Sequence, residues 1–199
     1  METKCLGIEL QADIKRRNVF ALLLVMFLVQ IGIAIFYPFL PLFLKNQCGV
    51  ENQNLGFYHS ILVSLSMVFL FICGPLWGRI SEKTGRRNVL FIGLAAGTTA
   101  LLIFGMAKDF RFASAIRALH GICFAATWPI LLVIAADYSR ANSRSTMLGY
   151  MGMLMGIGNG IAFGLGGMLY TMNPILPFFT GAILFFIALV LGMMFLKNV

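Results

Sequence analysis

The sequence predicts an all-α membrane protein with six transmembrane helices, and three observations predict it. Hydrophobic residues make up 60% of the 199 residues and the mean hydropathy is +0.91, whereas soluble domains are about 45–50% apolar. The apolar residues fall in six runs, at about 19–44, 55–80, 89–106, 112–138, 147–172 and 175–196. Each approaches or exceeds the ~20 residues that cross a bilayer's hydrocarbon as a helix. The basic residues then gather in alternate connections between the runs, as a fixed orientation in a membrane requires.

Residues 1–17 form a polar N-terminal segment ending in Lys15-Arg16-Arg17, and the six-span unit occupies 18–199. The first run is longer than the ~7–15 residues of a signal-peptide core, so it reads as span 1. It carries Gln30 at mid-membrane and ends Tyr37-Pro38-Phe39-Leu40-Pro41. The prolines remove backbone donors and bend the end of the span. Residues 45–54 are a polar loop. Span 2 holds Met67, Phe71, Gly74 and Gly78 at helical spacing, and Pro75 is expected to kink it. Span 3 carries Gly93-x-x-x-Gly97, a spacing that permits close helix approach. Span 4 carries Arg117 and His120 and reads as one helix to residue 138. Span 5 repeats glycine at Gly152, Gly156, Gly160 and Gly164, which leaves a flat groove for another helix. Asn173-Pro174 and Pro177 turn the chain into span 6.

Charge sets the orientation. With the N-terminus inside, the inner connections and ends hold Lys4, Lys15, Arg16, Arg17, Arg79, Lys83, Arg86, Arg87, Arg140, Arg144 and Lys197, and the outer ones hold Lys45, Lys108 and Arg111. Both termini are therefore expected in the cytoplasm, in a cell-membrane protein. The formal charge of +8 serves topology, since no basic stripe with interleaved exposed aromatics marks a nucleic-acid surface. The four cysteines have no metal spacing and imply no disulfide. No metal or cofactor is expected.

The connection Gly78-Arg79-Ile80-Ser81-Glu82-Lys83-Thr84-Gly85-Arg86-Arg87-Asn88-Val89-Leu90 resembles the loop between helices 2 and 3 of the major facilitator superfamily, G-x-L-A-D-R-x-G-R-R-x-x-L. Gly78, Glu82, Lys83, Gly85, Arg86, Arg87 and Leu90 stand on matching or equivalent positions. Arg117-Ala118-Leu119-His120-Gly121 resembles the family's span-4 motif, R-x-x-x-G. The resemblance covers essentially the whole chain and is to the N-terminal six-helix half, most like the drug/proton antiporter (12-spanner) group. It implies two inverted three-helix repeats. It also implies that Glu82, Arg86 and Asp137 form a conformational latch at the inner face, and that the glycine ladder packs against a second six-helix half, the missing C-terminal half or another copy. The antiporter motif of span 5 is matched in glycine phase only, because Ile161 stands where its proline belongs.

Candidate cavity and coupling residues are Gln30, Tyr37, Arg117, His120, Phe124, Trp128 and Asn159. Arg117, His120, Phe124 and Trp128 share one helical face. Arg117 is expensive in a membrane, at about 2.5–3.5 kcal/mol if central, so it is either a snorkelling anchor or a functional cation. His120 can titrate near neutral pH or simply pack. Gln30 and Asn159 either line the cavity or bond to neighbouring helices. Acidic residues occur only in loops and at span ends, so a proton-carrying acid would come from the second half.

These features predict a secondary transporter half, not an enzyme, moving small molecules by alternating access, with proton-coupled efflux of drugs or small amphipathic solutes expected. An uptake porter for a sugar or organic anion and a non-transporting remnant are the alternatives. An intramembrane serine protease is disfavoured because no G-x-S-G occurs. A channel of the paired N-P-A type is disfavoured because Asn173-Pro174-Ile175 stands alone.

Overall fold

Span 1 is two helices joined by a break. In the computed structural model, which describes residues 4–197, α1 runs Arg16–Ala34 and α2 runs Leu40–Cys48, with a 3-10 turn at Tyr37–Phe39 between them. Pro38 and Pro41 cannot donate to the helical ladder, and the Phe39 amide bonds the Phe36 carbonyl instead. The second piece continues beyond residue 44, where the sequence placed a loop. It stops at Gly49, which takes the left-handed φ of 67° that glycine adopts cheaply, and the Gly49 and Val50 amides both bond the Leu44 carbonyl. Lys45 therefore sits in the last turn of a helix.

The remaining helices are α3 (Leu55–Thr84), α4 (Arg86–Gly105), α5 (Phe110–Ala125), α6 (Trp128–Tyr138), α7 (Arg144–Met172) and α8 (Leu176–Phe195). Pro75 lies within a helix that continues from Leu55 to Thr84. One expectation changes here. Span 4, expected as one helix, is split at Ala126–Thr127 into α5 and α6. Pro129 in the first turn of α6 has no amide hydrogen, and the Thr127 hydroxyl bonds the Cys123 carbonyl at the break. Between α3 and α4 the chain reverses at Gly85 alone, at φ 90°, which only glycine adopts cheaply.

Six helical stretches are long and apolar enough to cross a membrane, and their ends bring both termini to one side. On that side the Asn18 amide bonds the Phe195 carbonyl at 2.6 Å. Span 1 is the axis: α1 packs along α7 and α8, α4 along α5 and α8, and α3 along α5. In the most apolar stretch of span 1, 78% of residues are buried, against 11% in span 2 and 17% in span 5. Spans 2 and 5 thus border an open face. Close approaches explain the packing. A Cβ on Gly32 would meet the Phe185 ring and the Gly181 carbonyl, one on Gly121 would strike the Ser66 backbone, and one on Gly166 would overlap the Ile35 carbonyl. At the far end from the termini Phe36, Phe43, Phe104 and Phe178 stack into one cluster.

The N-terminal segment is ordered and docked, which its polarity did not suggest. Strands β1 (Lys4–Cys5) and β2 (Ile8–Glu9) form a hairpin around Leu6 and Gly7, both at positive φ, the geometry of a two-residue turn. Ile8, Leu10 and Ile14 are fully buried against the bundle. The Glu9 amide donates to Ser143 Oγ, and the Asn142 side chain donates to the Glu9 carboxylate. Asn142 and Lys4 hold the Glu9 carboxyl below its usual range, so its contribution to docking is present at neutral pH and is lost as pH falls through that lowered value.

Two glycine substitutions separate packed from open faces. Gly166→Ala should destabilise the chain by about 1–3 kcal/mol, as overpacking does, while Gly156→Ala, whose Cβ meets nothing within 4 Å, should leave it unchanged or slightly more stable. Thermal unfolding of the two variants in detergent, followed by circular dichroism, checks the contrast.

Candidate functional site

A groove of about 380 Å³ opens where the break in span 1 faces α3, α5, α6 and α7. The break turns Tyr37 into it, and Ile33, Ala34 and Gln30 line the same wall. Met67 and Leu70 come from α3, Phe124 and Trp128 flank the α5–α6 break, and Asn159 and Phe163 come from α7. The walls are apolar and aromatic apart from one amide pair. Gln30 Nε2 donates to Asn159 Oδ1 at 2.6 Å, so the two residues bond across helices at the wall of the groove. Gly158 makes this possible, because its absent side chain lets α7 close on Gln30. The Gln30 oxygen and the Asn159 nitrogen remain available to a ligand.

Arg117 and His120 do not line this groove, contrary to the single face drawn from helical spacing. Arg117 is 1% and His120 3% exposed, and the end of α5 at Ala125 separates them from Trp128. They lie behind Tyr37. The Arg117 guanidinium sits 4.8 Å from the Tyr37 ring centroid and 5.5 Å from that of Phe36, within cation–π range. One Arg117 nitrogen lies 3.1 Å from His120 Nδ1. Because arginine only donates, Nδ1 accepts, which assigns the imidazole proton to Nε2. The other two guanidinium nitrogens and His120 Nε2 are buried without a hydrogen-bond partner among the described residues. No Asp or Glu forms an ion pair with Arg117 among the described residues. The guanidinium is therefore a buried cation held by π faces and one imidazole, and the anchor reading fails for want of exposure.

On the termini side, Arg86 Nε meets Asp137 Oδ2 at 2.9 Å, with the side chains 28% and 24% exposed. Buried Val89 and Leu90 fix the start of α4, which aims Arg86 across at the end of α6. Arg144 donates to the Ala136 carbonyl beside them. Glu82 is exposed and has no hydrogen-bond or ion-pair partner among the described residues, so within this unit only Arg86 and Asp137 of the three meet. Lys83 is exposed on the last turn of α3. Arg87 turns the other way, donating to the Met193 carbonyl at 2.5 Å and stacking on Phe91. Gly78 meets nothing within 4 Å of a Cβ.

Gly152, Gly156, Gly160 and Gly164 are likewise open, whereas Gly158 and Gly166 on the same helix are packed. The ladder therefore does not pack within this six-helix unit. Sequence reasoning missed Gly158, Gly166 and the docked hairpin. The alternation of Ile8 and Leu10 with polar neighbours was the one available signal for the hairpin.

The Arg86–Asp137 pair is partly exposed, which places its coupling at about 0.2–1 kcal/mol. A double-mutant cycle of Arg86→Ala and Asp137→Asn, read by unfolding of the purified chain, should return a coupling of that size. Additive effects would show that the two charges act separately.

Residues 22–199 match the model of the Major Facilitator Superfamily. Among curated relatives, the chain is 29% identical over 182 residues to the class H tetracycline resistance protein of Pasteurella multocida, covering 92% of this chain and 45% of that protein. It is 24% identical over 182 residues to the quinolone resistance protein NorA of Staphylococcus aureus, covering 92% and 46%. The chain thus spans about half the length of the curated relatives it matches. Among solved structures, the human organic anion transporter MFSD10 (TETRAN) superposes with a TM-score of 0.79 at 20% identity, over 92% of this chain and 48% of that one. With six membrane-crossing helices, this fold and a family match over residues 22–199, the chain belongs to the Major Facilitator Superfamily and is an integral membrane protein of the N-terminal-half type.

Proposed function

We propose that this chain supplies one half of a secondary active transporter that exports small amphipathic molecules, drugs among them, by alternating access coupled to protons. The observation that carries this reading is the one-sided cavity. The groove at Gln30, Tyr37, Trp128 and Asn159 lies between the two spans whose outer faces are open, and the glycines of those faces meet no neighbour. A second six-helix half seated there would supply the missing wall. Its aromatic, methionine-bearing lining suits varied apolar ligands, as the drug-resistance names of the relatives suggest. No carboxylate lines the groove, so the proton-carrying acid belongs to the second half. The basic side, with both termini and the 79–88 connection, faces the cytoplasm of the cell membrane by the positive-inside rule. The Arg86–Asp137 pair, with Gly78, Glu82, Lys83, Gly85 and Arg87 around it, is the conformational latch on that side.

A second reading has its own support. The buried Arg117, which has no ion-pair partner among the described residues and lies behind the groove residue Tyr37, favours an organic anion as substrate, the class of solute that MFSD10 is named for transporting.

The test is transport by a complete two-half assembly containing this chain, reconstituted in proteoliposomes with a proton gradient. Efflux of a cationic dye should be driven by the gradient, and Arg117→Ala should abolish it at unchanged helicity. Arg117→Lys should restore it only in part, because lysine lacks the planar fork. Full activity in Arg117→Ala would sink the coupling role. Saturable transport of an aromatic carboxylate in place of the dye would favour the second reading.

The glycine face gives a separate expectation. Gly156→Leu should abolish co-purification of this chain with the second half while leaving its six spans inserted, as assayed by protease protection. Co-assembly unaffected by the leucine would move the partner to another face.

A further inference from the structure

Two adjoining cavities on the termini side lie apart from the transport groove and from the Arg86–Asp137 pair, and share only Arg87 with the connection around that pair. The first, of about 430 Å³, opens between the starts of α1 and α4 and the end of α8. Lys15, Arg17, Asn18, Arg87 and Lys197 line it, with Asp13 as the one acid. Asp13 lies 3.8 Å from Lys197, which leaves a net excess of three positive charges. The second, of about 220 Å³, continues it along the bundle between α1 and α8. It is lined by Phe20, Ala21, Leu24 and Leu191 and shares Arg17 and Phe195 with the first.

The junction between the two is built. The Arg17 guanidinium lies 5.7 Å from the Phe195 ring centroid, and the Asn18 amide is tied to the Phe195 carbonyl. These contacts hold the cationic mouth against the top of the apolar groove. Arg87 is held by the Met193 carbonyl and the Phe91 ring, and its Nε is buried with no partner among the described residues. Phe20 and Leu24 are 52% and 45% exposed, at the level where membrane helices begin and end. A cationic pocket at that depth, opening directly into an apolar slot, fits a ligand with an anionic head and a hydrocarbon tail. Free phosphate would fill the first cavity and leave the second empty.

We propose that this cleft binds an anionic glycerophospholipid of the leaflet on the termini side. Its phosphate lies among Lys15, Arg17, Arg87 and Lys197, and an acyl chain lies in the groove against Phe20, Leu24 and Leu191. A lipid there bridges α1, α4 and α8 and ties the ends of three spans together.

The test uses the full chain purified in mild detergent and examined by native mass spectrometry with added phosphatidylglycerol, phosphatidylcholine or soluble glycerol 3-phosphate. Phosphatidylglycerol should be retained in preference to phosphatidylcholine. Each basic residue removed should weaken it about fivefold, so the Lys15→Gln/Arg17→Gln double variant should weaken it by about 25-fold. Lys45→Gln/Lys108→Gln, on the opposite side, should change nothing. Leu24→Trp fills the groove without touching the charges and should lower lipid retention, which keeps the test independent of any folding defect in the charge variant. Equal retention of the two lipids, or equal retention by wild type and both cleft variants, would overturn the site. Competition by glycerol 3-phosphate as strong as that by the lipid would overturn the acyl groove and make the ligand a free phosphate.

Discussion

The close approach of neighbouring helices to span 1 is the constraint on which the rest of the structure depends. Span 1 is the most buried of the six and, with span 4, one of the two that break. A broken helix in hydrocarbon frees backbone groups that no water can satisfy, so protein must surround it. Glycines on the neighbours permit this. Gly181 of α8 approaches Gly32, Gly158 of α7 approaches Gln30, and Gly166 of α7 lies against the Ile35 carbonyl at the break itself. With the break enclosed, Phe36 turns inward to the aromatic cluster while Tyr37 turns to the groove. The cavity is thus a consequence of where two prolines interrupt a helix and of which neighbours lack side chains.

The same enclosure explains how a guanidinium survives inside the bundle. A charge in low dielectric needs compensation nearby. Arg117 receives it from the faces of Phe36 and Tyr37 and the Nδ1 lone pair of His120, none of which carries a formal negative charge. That leaves two guanidinium nitrogens without a partner among the described residues. Tyr37 touches both the cation and the groove, so any ligand that moves its ring also changes the surroundings of Arg117. The amide pair of Gln30 and Asn159 has a different status: one bond satisfies part of each group, and the remainder is open to the cavity.

The number of spans and the reversal at Gly85 were legible in the sequence because they rest on long apolar runs and on one backbone angle. The Arg86–Asp137 pair was legible through the resemblance of its loop. The Arg117 cluster was only half legible. Helical spacing put Arg117, His120, Phe124 and Trp128 on one face, but Pro129 ends α5 before Trp128, and periodicity does not carry across a break. Glu82, which the resemblance sets against a helix start of the second half, stays exposed in this unit. The docked hairpin was hidden by composition. Its buried residues Ile8, Leu10 and Ile14 are few and scattered among charges, and their partners Tyr138 to Ser143 are more than a hundred residues away. For the glycines, the repeat of four pointed to the open set, while the packed pair Gly158 and Gly166 lies outside that repeat.

That division of glycines bears on what covers each face. The exposed side of α8 carries Ile183, Phe186, Val190, Met193 and Met194, large side chains that lipid tails accommodate without shape matching. The exposed side of α7 alternates large residues with Gly152, Gly156, Gly160 and Gly164, and that of α3 includes Gly74 and Gly78. Fluid acyl chains gain little from a flat strip of backbone. A second helix gains a great deal, because van der Waals contact and backbone approach are what drive helix association in a membrane. Glycine also costs helix stability, roughly 1 kcal/mol relative to alanine at each position, so four in one stripe are a standing cost within the isolated unit. Only a neighbouring helix recovers it. The two faces therefore differ in chemistry, and the proposed second half fits the glycine-bearing face between α3 and α7, on which the groove opens.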